Sequence, residues 1–145
     1  MDDSPRQRWL PTAIVAGVLY PVVGIAFAAL AGAAQSKQTL FFWRLSAFVV
    51  SGVVFAVHIA IEHFRLRNTA RRLAWHTAFA VALGALLLAL AANIHDLGSA
   101  SGYRPRMLIA FVAWPLFTAV PAFIVAFVVA AVLGLKRRSL HANQP

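Results

Sequence analysis

Four apolar runs, each long enough to cross a lipid bilayer, leave this chain almost no other way to fold. A spanning helix needs about 20 predominantly apolar residues. The segments at about Pro11–Ala34, Leu40–Ile61, Leu73–Ile94 and Met107–Leu135 meet that requirement. Inside lipid no water reaches the backbone N–H and C=O groups, so each span must satisfy them internally, as a helix. Composition agrees. Hydrophobic residues make up 61% of the chain and charged ones 12%, whereas soluble domains carry roughly 45–50% and about 25%. The expected fold class is all-α and integral to the membrane, an antiparallel bundle of four transmembrane helices. A short N-terminal segment (1–10) and a basic tail (136–145) flank a membrane domain of 11–135.

The fourth run holds 29 residues, or ~43 Å of helix at the α-helical rise. That exceeds the ~30 Å hydrocarbon core, so the helix is expected to tilt, kink or project. Pro115 and Pro121 each remove a backbone donor and mark two kink points. Gln35 to Thr39 makes a tight hairpin between the first two spans. His63 to Arg72 joins the second to the third, and the irregular His95 to Arg106 joins the third to the fourth. Loops this short favour antiparallel packing of consecutive helices. The stretch Ala31-Gly32-Ala33-Ala34-Gln35 is a weak match to a signal-peptide cleavage site, but the run from Thr12 to Ala34 is long enough to span and reads as a retained helix.

A net charge of +9 raises nucleic-acid binding, which the placement of the charges argues against. Basic residues lie in short clusters between apolar runs, not along one face interleaved with polar and aromatic residues. Arg6, Arg8, Arg65, Arg67, Arg71, Arg72, Lys136, Arg137 and Arg138 fall on one side of the membrane. Lys37, Arg44, Arg104 and Arg106 fall on the other. Nine against four puts the first set, and both termini, in the cytoplasm (N-in/C-in) by the positive-inside rule. An inner (plasma) membrane of bacterial type is the expected location. The chain has no cysteine, so there is no disulfide, thiolate metal site or Cys nucleophile.

Ala47-Phe48-Val49 recurs as Ala110-Phe111-Val112, and Tyr20-Pro21 resembles Trp114-Pro115. An alphabet this rich in Ala, Val and Phe produces such matches by chance, and they locate no transporter-type repeat.

Polar chemistry concentrates on the second helix. Arg44, Ser51, His58 and Arg65 recur every seven residues and share one face, which Glu62 joins four residues after His58. A polar stripe in a membrane helix turns towards protein or water. Arg44 is near enough to the outer end to snorkel, and Glu62, His63 and Arg65 lie at the inner boundary. His58 lies about a turn deeper, and His76 enters the bilayer from the same side. The polar intramembrane cluster is therefore Arg44, Ser51, His58, Glu62 and His76. The plainest reading is a His58–Glu62 hydrogen bond within one helix and a His76 bonded to a backbone carbonyl. Two sharper readings are a proton relay, because His titrates near neutral pH, and a divalent metal such as zinc on His58, Glu62, His63 and His76. A bis-histidine haem is disfavoured: it needs well-separated helices, and in an up-down square neither diagonal pair carries histidine on both members. Asn93, His95 and Asp96, followed by Gly98, read as helix termination. His141 lies in the polar tail and has no expected role. No G-x-S-x-G elbow or phosphate loop occurs.

Gly24, Ala28 and Gly32, extended by Gly17 and Tyr20, form a small-residue ladder on the first helix, and Ala80, Gly84 and Ala91 form another on the third. Such ladders let helix backbones approach closely in lipid. Trp9, Trp43, Trp75 and Tyr103 flank the spans as an aromatic belt would, whereas Trp114 lies deeper and is a candidate cavity wall. Three function classes remain: a small transport or proton/ion-handling protein, oligomeric because four helices enclose little pore; a metal-binding or redox protein; and a non-catalytic accessory subunit of a larger membrane complex. No residue set argues for an enzyme. The lipid bilayer is the one partner that the sequence requires.

Overall fold

A computed structural model describes residues 9–66, 68–97 and 106–142, with the backbone alone for 96–97, 106–108 and 136–142. Helices α1 (Trp9–Gly32), α2 (Lys37–Ala60), α3 (Ala70–Leu97) and α4 (Arg106–Ala142) follow in order, and a π-helical turn at Ile61–Arg65 continues α2. No strand occurs among the described residues. All four helices are long and apolar enough to cross a membrane. The clusters at Arg6 and Arg8, and Arg67, Tyr103 and Arg104, lie outside the described residues, as do the side chains of Asp96, Arg106, Lys136, Arg137, Arg138 and His141.

Local chemistry sets the helix ends. In α1, Pro11 falls in the first turn, where a missing N–H leaves no intrahelical bond unmade. The second helix begins before its apolar run, at Lys37, because Ser36 caps it. Ser36 is extended (φ −134°, ψ 155°), and its Oγ accepts from the Thr39 N–H at 3.1 Å. This satisfies one of the unpaired donors of the first turn. Helix α4 runs for 37 residues, or ~55 Å, and so projects beyond a bilayer core. It continues through Pro115 and Pro121 as one helix. Between them, Thr118 Oγ1 donates to the carbonyls of Trp114 at 2.8 Å and Pro115 at 3.2 Å.

The packing departs from the square of consecutive neighbours. α1 lies on α2 and α3 lies on α4, but the third broad interface joins α1 to α3, and α2 touches α3 in few places. Backbone contact explains the difference. A Cβ on Gly84 would lie 2.8 Å from Tyr20 Cβ and 3.0 Å from the Gly17 carbonyl oxygen, and one on Gly17 would lie 3.0 Å from the Ala80 carbonyl oxygen. Pro21 has no N–H to offer the Gly17 carbonyl four residues earlier, and that carbonyl faces Gly84. The expectation that α1 and α3 stand diagonally is therefore wrong, and with it falls the diagonal-pair argument against an intrachain haem.

Helix α3 is central, with 39% of its span buried against 22% for α1 and 17% each for α2 and α4. One apolar cluster joins Ile59 of α2, Leu73 and Ala74 of α3, and Ala126 and Ala130 of α4. A second joins Ala13, Ala16 and Ala80 beneath Trp9. Both lie at the end of the bundle where α1 and α3 begin and the π turn closes α2.

Candidate functional site

The α2 backbone changes geometry where its polar residues cluster. In the π turn the Leu66 N–H bonds to the Ile61 carbonyl at 3.2 Å, five residues back, so side chains there leave the α-helical register. Glu62, fully buried, does not reach back along α2 to His58. It reaches across to α3, where His76 Nδ1 lies 3.0 Å from its Oε2. This corrects both plain readings: the His58–Glu62 bond is not made, and His76 meets a carboxylate, not a carbonyl.

Asn68, in the loop before α3, completes the arrangement. Its side-chain Nδ2 donates to the same Glu62 Oε2 and lies 3.5 Å from His76 Nδ1. Its backbone N–H donates to the Glu62 carbonyl at 3.3 Å. Trp9 closes the site from α1, with its ring stacked on the His76 imidazole at 4.1 Å between centroids and 7° between planes, and edge-on to Phe79 at 6.0 Å.

The heavy-atom positions serve two proton placements equally. A protonated Nδ1 donates to a carboxylate Oε2, and a protonated Oε2 donates to a bare Nδ1. In either case Asn68 supplies a second donor. The other carboxyl oxygen, Oε1, is buried with no hydrogen-bond partner among the described residues. His58 is 2% exposed and neither of its ring nitrogens has such a partner. Buried polar atoms are normally paired, and here three on neighbouring turns have no partner among the described residues.

The remaining expected residues lie apart from this centre. Ser51 is half-buried and Arg65 exposed. Arg44 is exposed and borders a groove of about 430 Å³ with Gly24, Ala28 and Gly32 of α1. His63 is half-buried and turns its ring edge-on to Phe64. Among the described residues no three His, Cys, Asp or Glu side chains are placed to hold a metal ion, so His58, Glu62, His63 and His76 do not converge as one ligand set. Gly17, Ala80 and Gly84 meet at the α1–α3 contact, and Gly24 lies against Leu88. Ala91 is half-buried, and a Cβ on Gly32 would meet nothing.

Asn93 is buried and donates to the Ala89 carbonyl at 2.7 Å. Its Oδ1 has no partner among the described residues, His95 is exposed, and the helix runs on to Leu97. Trp43 packs on Phe27 and Phe42. Trp75 is exposed and packs edge-on to Phe123 of α4. Trp114 lines a space of about 330 Å³ between α3 and α4 with Leu88 and Thr118.

Asn68 and Trp9 are the participants that sequence reasoning missed. Asn68 is the one carboxamide in its loop, a signal that was present. The Trp9 stack carries no local signal, because it depends on α1 lying against α3. No family model matches the chain, and neither a curated protein nor a solved structure is detectably similar to it.

Proposed function

We propose that this chain is an antiparallel four-span bundle, N-in and C-in, that moves protons through a Glu62–His76 pair with His58 as the next acceptor towards the bilayer centre. Ionisable groups within spans are costly to keep, and they mark ion or proton paths. The observation that carries the reading is the fully buried Glu62, bonded to His76 through one oxygen, with its other oxygen and both His58 nitrogens unpartnered among the described residues. The division of basic residues supports a cytoplasmic position for this end of the bundle. Four helices enclose little pore, so the working form is an oligomer or part of a larger membrane assembly.

The test is proton flux into proteoliposomes containing a trapped pH dye, driven by an acid step. Wild-type protein equilibrates the lumen faster than empty liposomes. Glu62→Gln, which keeps the shape and removes the exchangeable proton, slows that rate at least tenfold. Equal rates for wild type and variant, both refolded to the same helical content, would overturn the reading.

A further inference from the structure

Between α1 and α2, on the membrane-facing side, lies a cavity of about 190 Å³. Val15, Leu19, Val54, Val57 and Ile61 form its apolar wall, Thr12 adds a hydroxyl, and His58 is its one titratable lining group. Val15, Leu19 and Val57 are substantially exposed on the bundle surface, so the mouth opens towards lipid. His58 itself is 2% exposed and has no hydrogen-bond partner among the described residues on either ring nitrogen.

We infer that this cavity binds a neutral, membrane-dissolved ring compound of the quinone class, with a ring carbonyl accepting a hydrogen bond from the His58 imidazole. Three features select the ligand. The volume exceeds the roughly 150 Å³ that holds a benzene ring in an apolar cavity, and it is too small for a porphyrin. No charged side chain lines the wall, so a charged headgroup would lie unpaired there. An acyl chain fits the wall but leaves the imidazole without a partner, whereas a ring with one polar oxygen satisfies both. The inference goes beyond the proposed proton path: it concerns occupancy of the α1–α2 cavity and needs no flux through Glu62 and His76.

A photoreactive azidobenzoquinone, added to the full chain in lipid nanodiscs and mapped by mass spectrometry, tests it. The expected result is saturable labelling of α1 and α2 peptides, displaced by excess duroquinone. His58→Leu puts an apolar side chain of similar bulk in place of the imidazole, and loss of the hydrogen bond weakens labelling by about fivefold. Leu19→Trp, on the facing α1 wall, fills the cavity and abolishes labelling. Labelling that is not displaced, that spreads evenly over the four helices, or that survives both substitutions overturns the inference. Loss of flux in Glu62→Gln with quinone labelling intact separates the two proposals.

Discussion

Glu62 combines two properties that seldom coexist in a membrane helix, complete burial and incomplete hydrogen bonding. One oxygen receives Asn68 and faces His76, and the other has no partner among the described residues. The environment therefore tests charge and shape separately. In Glu62→Gln an amide oxygen in the place of Oε2 still accepts from Asn68 and from a His76 imidazole protonated at Nδ1. The expected loss of stability is within about 1 kcal/mol. Glu62→Ala strands both partners and opens a cavity, and the expected loss is about 3 kcal/mol. Reversible unfolding in mixed detergent micelles reads the difference. Equal losses would mean that the carboxyl group itself is what the fold needs, and that the volume and the bonds kept by the amide contribute nothing.

At the level of elements, the contact between α1 and α3 organises the rest. The two backbones touch at Gly17 and Gly84, so a single methyl group is enough to separate them. Gly84→Ala places a Cβ 2.8 Å from Tyr20 Cβ and 3.0 Å from the Gly17 carbonyl. Neither is the far end of a flexible side chain, and the expected cost is about 2 kcal/mol. Gly52 of α2 has nothing within 4 Å of an added Cβ. Gly52→Ala is therefore neutral, or stabilising by up to about 1 kcal/mol through lost backbone freedom in the unfolded chain. The same unfolding measurement on the two variants checks the contrast, and a destabilising Gly52→Ala would show a contact that the fold lacks.

The contact also marks how far the sequence could be read. Spans are legible because the length of an apolar run is a property of neighbouring residues along the chain. The α1–α3 pairing joins residues that lie far apart, and nothing local says that the glycines of one ladder meet those of the other. The cluster is legible only in part: Arg44 and Ser51 lie apart from it, and Asn68 and Trp9 carry no periodic signal. His58, Glu62 and His76 stand out as ionisable groups in apolar surroundings, but the four-residue spacing of His58 and Glu62 implies contact only while the helix stays α. The π turn at Ile61–Arg65 breaks that condition and sends the carboxylate to α3.

For the whole molecule, the decisive quantity is the direction in which the bundle crosses the membrane, because it sets which aqueous phase the Glu62 site meets. The nine-to-four division of Lys and Arg favours the end holding Trp9, Glu62 and His76 as cytoplasmic. The absence of cysteine from the chain makes the test clean, since any introduced thiol is unique. Gln35, in the α1–α2 turn, and Thr69, ahead of α3, are both exposed and lie at opposite ends of α2. With a membrane-impermeant maleimide, Gln35→Cys is expected to label in intact cells, and Thr69→Cys only after the membrane is opened. The reverse pattern would invert the bundle and place Glu62 and His76 at the outer face, so that protons would enter the path from outside. Labelling of both positions in intact cells would mean that α2 does not cross the bilayer. The polar end of α2 would then lie in water, where ionisable groups are cheap to keep and give no sign of transport.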